Sequence, residues 1–130
     1  MFSFIVGAVE PPVVITPDRA TLREGNSLRV ICKSNQPLDY CRFSVPGVGG
    51  LNLAPNHRAH EGLHYTGNGL AQGECGLEIP DVRERHNGNL ACTLGFLNHP
   101  IEGGATMRLT VASKFFLLLK CRPFLILFCL

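Results

Sequence analysis

The sequence has no tryptophan, few charged residues, no C-x-x-C pair and no Asn-x-Ser/Thr sequon. Asp, Glu, Lys and Arg make up only 17% of its 130 residues. It has no C-x-x-C pair, which disfavours a zinc ribbon, and no Asn-x-Ser/Thr sequon, so N-glycosylation is not expected. Residues 1–112 carry nine basic and ten acidic side chains without a basic cluster, so nucleic-acid binding is not expected either.

The apolar content is typical of one folded domain, but both ends of the chain are unusual. Residues 1–9, "MFSFIVGAV", are shorter than a normal signal peptide and have no basic start. We interpret them as a truncated signal or an alternative start, with a functional signal as the alternative. Residues 113–130 are apolar but contain three basic residues and a proline, whereas a spanning helix needs about 20 mostly apolar residues. We interpret them as an irregular apolar tail outside the domain, with a membrane anchor as the alternative.

Between these ends, residues 10–112 have the rhythm of an all-β domain. Apolar and polar residues alternate, and turn residues recur about every ten positions. No segment has the three-to-four residue period of a useful helix. Strands are therefore predicted within residues 11–16, 24–34, 40–45, 73–79, 88–96 and 105–112.

Cysteine spacing specifies the kind of β-domain. Six cysteines in a small chain favour disulfides and an oxidising compartment. Cys32 and Cys92 lie sixty positions apart on two predicted strands, and both point inward by alternation. This is the spacing of the inter-sheet bridge in an immunoglobulin-like two-sheet antiparallel β-sandwich. Phe43 is expected to fill the core position of the missing tryptophan, and Leu90 stands where a tyrosine is usual.

Four cysteines of the domain, Cys32, Cys41, Cys75 and Cys92, allow three pairings. The other two cysteines lie in the tail. With strands lettered A to G, strands A, B, E and D form one sheet of the sandwich and C, F and G the other. The pairs 32–75 and 41–92 would then join neighbours within one sheet. The remaining alternative, 32–41 with 75–92, spans the core less directly, because B faces F and E faces C. We therefore predict Cys32–Cys92 and Cys41–Cys75.

A metalloprotease-like pattern also occurs, in His60-Glu61-Gly62-Leu63-His64. H-E-x-x-H binds zinc when a helix places both histidines on one face. Here Gly62 falls inside the motif and further glycines follow, each costing a helix about 1 kcal/mol. Leu70 occupies the place of a third histidine ligand, and Glu84 lies in a charged turn. A zinc hydrolase is therefore only a distant alternative, and no catalytic residue, metal or other cofactor is expected.

Several longer strings carry a more specific resemblance. "LDYCRFSVPG", "LNLAP", "YTGNGLAQGECGLEI", "HNGNLACTLG" and "LTVA" occur in this order. Together they resemble the N-terminal immunoglobulin domain of the fasciclin III cell-adhesion glycoproteins of arthropods, over roughly residues 10–112. The resemblance implies a recognition module for homophilic adhesion, with axon guidance and epithelial contacts among its roles. The implied partner is the same protein on an adjacent cell or a related surface protein, and no small-molecule substrate is expected. The implied location is the extracellular side of the plasma membrane, or outside the cell if this short form is real.

Two turn-rich segments are candidates for the binding face. Residues 96–104 and the segment "PGVGGLNLAP" contain apolar side chains near turns, where little core is available. We expect them to border one sheet face with an apolar patch, which marks a partner site, although single residues could also pack under the loops. The candidate residues are Phe96, Leu97, Ile101, Val48, Leu51 and Leu53. An alternative function is a secreted immunoglobulin-domain protein that binds a soluble ligand or acts as a decoy.

Overall fold

A computed structural model describes residues 11–113. Apart from two single-turn 3-10 helices at Leu70–Gln72 and Glu84–His86, its regular structure is entirely β-strand. The strands are β1 (Val13–Thr16), β2 (Arg19–Arg23), β3 (Leu28–Ser34), β4 (Leu38–Val45), β5 (Gly49–Asn52), β6 (His64–Thr66), β7 (Glu74–Ile79), β8 (Gly88–Phe96) and β9 (His99–Ala112). The predicted all-β class is therefore confirmed, and each predicted strand is present.

The strands form two facing sheets. One has the order β1-β3-β7-β6, and the other has the order β2-β9-β8-β4-β5. All neighbouring strands are antiparallel except β2 and β9, which run parallel. The chain changes sheets at Pro17, which has no backbone N–H to continue the ladder with β3. The second sheet therefore has five strands, two more than the three predicted, because β2 and β5 are added at its two edges.

The core between the sheets follows the alternation of each strand. On β4, Cys41, Phe43 and Val45 are buried, whereas the intervening residues face solvent. Phe43 is fully buried and lies opposite Cys92 on β8, so its ring occupies the centre of the core, where the sequence lacks a tryptophan. Leu90 is also fully buried. Burying a large side chain of this kind contributes about 1.5–3 kcal/mol relative to its exposure.

Two disulfides join the sheets across this core. Cys32 on β3 bonds to Cys92 on β8 with 6.7 Å between Cα atoms, and Cys41 on β4 bonds to Cys75 on β7 with 6.4 Å. Both separations lie within the range that a disulfide spans without moving the backbone. No cysteine within residues 11–113 is left unpaired, and the two tail cysteines fall outside the described residues. The two cross-links hold the same pair of sheets at two places.

The turn before β8 is fixed by polar side chains. The Asn87 Nδ2 donates to the carbonyl of Val111 at 3.0 Å, and the Val111 N–H donates to Asn87 Oδ1 at 2.6 Å. The neighbouring His86 is 1% exposed, and its Nδ1 accepts the Arg83 N–H at 2.9 Å. Burial lowers the pKa of His86, because desolvation disfavours the imidazolium form. These two residues therefore anchor the start of β8 to the end of β9 and to the preceding turn.

Candidate binding surface

The structure does not assemble the six predicted binding residues into one apolar patch. Phe96, Leu51 and Leu53 are only 6–7% exposed, and Val48 is half-buried against the core. Leu97 and Ile101 are exposed, at 57% and 40%. The prediction that both loops expose such a patch is thus wrong for the three leucine and phenylalanine side chains in the core.

The reason lies in the strands that these turn-rich segments form. Leu51 belongs to β5 and pairs with Phe43, so the alternation of the sheet turns its side chain inward. The Phe96 ring packs over Gly103, where an added Cβ would lie 3.3 Å from the ring and 2.9 Å from Val13. Gly103 thus opens a place for an aromatic side chain that would otherwise project from the sheet end.

Three exposed apolar residues nevertheless lie at the end of the five-stranded sheet where the turn joins β8 to β9. Leu97 occupies the turn between β8 and β9, Ile101 lies near the start of β9, and Tyr40 lies on β4 opposite Gly95. The Tyr40 side chain is 39% exposed. We call Tyr40, Leu97 and Ile101 the apolar end. It retains two of the six predicted residues and adds Tyr40, which had no signal in the local sequence.

Tyr40 is held across the sheet rather than projecting freely. Its ring lies directly over Gly95, at a position where any Cβ would collide with it. Its hydroxyl donates a hydrogen bond to Oε2 of Glu102 on β9. This hydrogen bond to the carboxylate is the main reason that the pKa of Tyr40 is raised, because ionising the phenol would break it. The contact joins β4 to β9 over the top of β8.

Below Tyr40, the outward side of the five-stranded sheet carries small side chains around one long one, the exposed Arg42, which lies opposite Thr93. Its central rows pair Thr93 with Gly104 and Ala91 with Thr106, and Ser44 lies opposite Ala91 on the next strand. All five residues are small and at least partly exposed. We call this surface the open face. Small side chains allow another surface to approach the backbone closely, whereas Arg42 projects among them.

The outward side of the four-stranded sheet is different, because acidic and basic residues lie next to one another on its neighbouring strands. Glu78 on β7 lies between Arg29 on β3 and His64 on β6, and Lys33 reaches Glu74 at 3.4 Å. Glu74 is buried and accepts the Asn68 N–H at 3.0 Å, and this hydrogen bond is the first cause of its lowered pKa. Lys33 and Glu74 thus form an ion pair, and these residues together give this side of the sheet a polar covering.

The metalloprotease-like segment forms a tight turn, not a helix. His60 and Leu63 exchange backbone hydrogen bonds of 2.8 and 2.9 Å, and Glu61 adopts a positive φ of 53°. Leu63 is buried, whereas Glu61 faces the Arg85 guanidinium at 3.3 Å and His64 faces Glu78 at 3.9 Å. Within residues 11–113, no three His, Cys, Asp or Glu side chains converge as metal ligands. The second histidine is thus placed toward a carboxylate of the neighbouring strand.

The two sheets have these strand orders and are linked by disulfides across the core, and the chain moves from one sheet to the other between β1 and β2. These features define an immunoglobulin-superfamily domain. Solved structures agree with this fold. The chain aligns with the Ig1 domain of mouse SynCAM 2 at a TM-score of 0.57 and 16% identity, over 79% of this chain and 95% of that one. It also aligns at a TM-score of 0.60 and 12% identity with a chain from work on T cell specificity and activation by the bacterial superantigen toxic shock syndrome toxin-1, over 79% and 100%. At these identities the likeness concerns the fold alone.

The sequence resembles a particular protein of that superfamily. It is 36% identical over 103 residues to Fasciclin-3 of Drosophila melanogaster, an alignment that covers 78% of this chain. The same alignment covers 20% of Fasciclin-3, so the chain spans about a fifth of that relative's length. No family model matches the sequence. In the part of the chain that the structure describes, no helix is long and apolar enough to cross a membrane.

Proposed function

We propose that this chain is a cell-surface recognition module for homophilic cell–cell adhesion, acting by binding and not by catalysis. The observation that carries the proposal is the 36% identity to Fasciclin-3 over 103 residues, because identity at this level over a whole domain exceeds what a shared fold alone requires. The partner is a second copy on an adjacent cell or a related surface protein. The two disulfides fit an oxidising location, on the extracellular side of the plasma membrane or outside the cell.

The surface supports a binding role in physical terms. The apolar end exposes Leu97 in the turn after β8 and Ile101 on β9, in a sheet that two disulfides join to the other sheet through β8 and β4. A rigid surface loses little conformational entropy when it binds, so even a modest contact yields net affinity. Contacts that are weak for one domain add up when many copies face each other across a cell contact. Such a surface is suited to adhesion between arrays of identical molecules.

Bead aggregation tests this function directly. Beads coated with the 130-residue chain are expected to cluster, whereas beads coated with albumin stay dispersed. Leu97→Asp and Ile101→Asp should reduce clustering, because each places a charge in the apolar end. Val14→Asp is the matched control, since Val14 is also an exposed apolar residue, at 62%, but lies on β1 of the other sheet. Every variant is first checked for folding by far-UV circular dichroism. Dispersed wild-type beads would contradict the proposal.

A recess on the structure favours a second function, the binding of a soluble ligand by a secreted module. It has a volume of about 480 Å³, and its polar lining includes Asp39, Arg42, Asn52 and His57. This volume falls within the range of small-molecule sites. If the beads stay dispersed, a thermal-shift screen with small polar ligands is expected to find a stabilising compound. Arg42→Ala should abolish that stabilisation.

A further inference from the structure

Three arginine residues that are far apart in the sequence lie together at one edge of the five-stranded sheet. The parallel pairing of β2 with β9 sets Arg19 directly opposite Arg108, and Arg23 follows at the other end of β2. All three residues are exposed, and none has an ion-pair partner among the described residues. We call Arg19, Arg23 and Arg108 the basic edge. It borders the open face and is assembled only by the fold, since the sequence contains no basic cluster.

The register between β2 and β9 makes this arrangement electrostatically unfavourable in the free domain. Like charges directly opposite each other in a sheet are destabilising. Elsewhere in the described strand pairs, charged residues in direct register have opposite signs, as in Arg29 with Glu78 and Lys33 with Glu74. Arg19 with Arg108 is the exception. A bound anion would remove this repulsion, so the pair is a candidate anion site.

Protection of a free sheet edge explains only part of this pattern. Charged side chains on an edge strand discourage pairing with another chain. This explanation covers Arg19 and Arg23, which lie on the edge strand β2. It does not cover Arg108, because β9 lies between β2 and β8. The third arginine therefore requires another explanation.

Neutral hydrogen-bonding groups lie between the arginines. Thr21 on β2 and Thr110 on β9 are opposite each other, in the outward row next to Arg19 and Arg108, and both are exposed. A threonine hydroxyl can donate a hydrogen bond to an anionic oxygen. The surface between Arg19 and Arg23 therefore offers donors and no negative charge.

The acidic residues at the two ends of β2 do not neutralise the basic edge. Asp18 precedes β2, and its carbonyl accepts the Arg108 N–H at 3.1 Å. Glu24 follows β2, and its carboxylate accepts the Glu84 N–H at 3.0 Å. Neither carboxylate forms an ion pair within the described residues. The three guanidinium groups thus remain available to an external anion.

The spacing of the arginines fits a chain of anionic groups rather than one anion. Arg19 and Arg108 lie on strands about 4.8 Å apart, whereas Arg23 lies about 13 Å along β2 from Arg19 at ~3.3 Å per residue. An anionic group held between the first two arginines therefore leaves Arg23 to a second group. Guanidinium groups bind oxygen anions through paired N–H donors, which makes arginine better suited to this task than lysine.

We propose that the basic edge binds a sulfated polysaccharide, with one sulfate group between Arg19 and Arg108 and a second at Arg23. The two disulfides fit an oxidising compartment, and the abundant linear polyanions outside cells are sulfated polysaccharides. A nucleic acid is a poorer match, because neither β2 nor β9 carries a Phe, Tyr or Trp on which a base could stack. This binding does not depend on self-recognition and would attach the module to the polysaccharide coat of a cell.

Binding to heparin, a highly sulfated polysaccharide, tests the proposal. The 130-residue chain should bind immobilised heparin at pH 7.5 and about 0.15 M salt and be released as the salt concentration rises, because charge contacts are screened. Arg19→Gln and Arg108→Gln should each weaken the affinity about tenfold, since each removes charge-assisted hydrogen bonds. Heparin stripped of its sulfate groups should not compete for binding. Heparin should also raise the unfolding temperature of the wild type, but not that of the double variant R19Q/R108Q.

Arg29→Gln is the matched control, since Arg29 is an exposed arginine on β3 of the other sheet. It should leave heparin binding unchanged. The tail contains three further basic residues, Lys114, Lys120 and Arg122, which every variant retains. Binding through the tail would therefore survive in R19Q/R108Q. Each variant is first checked for folding by far-UV circular dichroism.

Several outcomes would overturn the proposal. Wild type that does not bind heparin at this salt concentration has no such site. Retained binding by R19Q/R108Q, or an equal loss in Arg29→Gln and Arg108→Gln, would show that the basic edge is not the contact. Equal binding of desulfated heparin, or of single-stranded DNA of similar length, would show that the partner is another kind of polyanion. Bead clustering is measured separately, so failure here leaves the proposed adhesive function standing.

Discussion

Removing the disulfide between Cys41 and Cys75 should lower stability by an amount that the structure predicts. This bridge lies inside the loop closed by Cys32 and Cys92, whose separation is 60 residues, and itself spans 34. With the outer bridge intact, the inner one divides an existing loop into arcs of about 34 and 26 residues. Because both arcs join the same two points of the chain, they act together like one loop of about 15 residues. Closing such a loop removes entropy from the unfolded chain worth ~3 kcal/mol.

The variant Cys41→Ala with Cys75→Ala measures this contribution. Both side chains are at most 1% exposed, so a small cavity term adds to the entropic loss. Urea unfolding followed by far-UV circular dichroism suits a protein without tryptophan. With a urea m-value of ~1–3 kcal/mol/M, the midpoint should fall by roughly 1–3 M. The outer pair, replaced in the same way, should cost more.

Two results would refute this reasoning. A midpoint within about 0.3 M of wild type would mean that the inner bridge does not constrain the unfolded chain as the loop model requires. Peptide mapping of the oxidised wild-type protein that joined Cys32 to Cys41 would show a different pairing altogether. The expected fragments instead link Cys41 to Cys75 and Cys32 to Cys92.

Three further predictions concern single residues. Gly73→Ala should cost about 1–3 kcal/mol in urea unfolding, because Gly73 has a φ of 78° and an added Cβ would collide with the Ser34 carbonyl; stability within 0.5 kcal/mol of wild type would contradict this. The folded state lowers the pKa of His86, so the unfolded state takes up this proton at higher pH, and stability should fall as the pH drops below 6.5. The variant His86→Phe should flatten this dependence of stability on pH between pH 7.5 and 5.5, and an unchanged slope would refute the assignment. Purified, tag-free chain should contain no stoichiometric zinc by mass spectrometry, and tight zinc lost on His60→Ala would overturn the assignment of that segment as a turn.

The alternation of apolar residues was sufficient to predict the strands that form the centre of each sheet. Strands β3, β4, β7 and β8 have six to nine residues, and each carries one inward-pointing cysteine. The missed strands, β2, β5 and β6, have only three to five residues and lie at sheet edges. An edge strand buries little surface, so tertiary pairing rather than its own pattern decides its structure.

The binding surface was harder to predict, because glycine residues in a sequence usually indicate a turn. Gly103 and Gly104 lie inside β9, which begins six residues earlier than predicted. One of these glycines accommodates the Phe96 ring, so a residue expected at the surface enters the core. Tyr40 and Glu102 are 62 positions apart, and only the assembled sheet brings them into contact. No local pattern carries such information.

Self-recognition by this chain is tested most directly by sedimentation equilibrium of the wild-type protein over a wide concentration range. The average mass should rise with concentration toward twice that of one chain. A non-reducing gel of the same sample excludes covalent dimers. A mass that stays at that of a single chain up to millimolar concentration, at low salt, would contradict homophilic recognition through this domain.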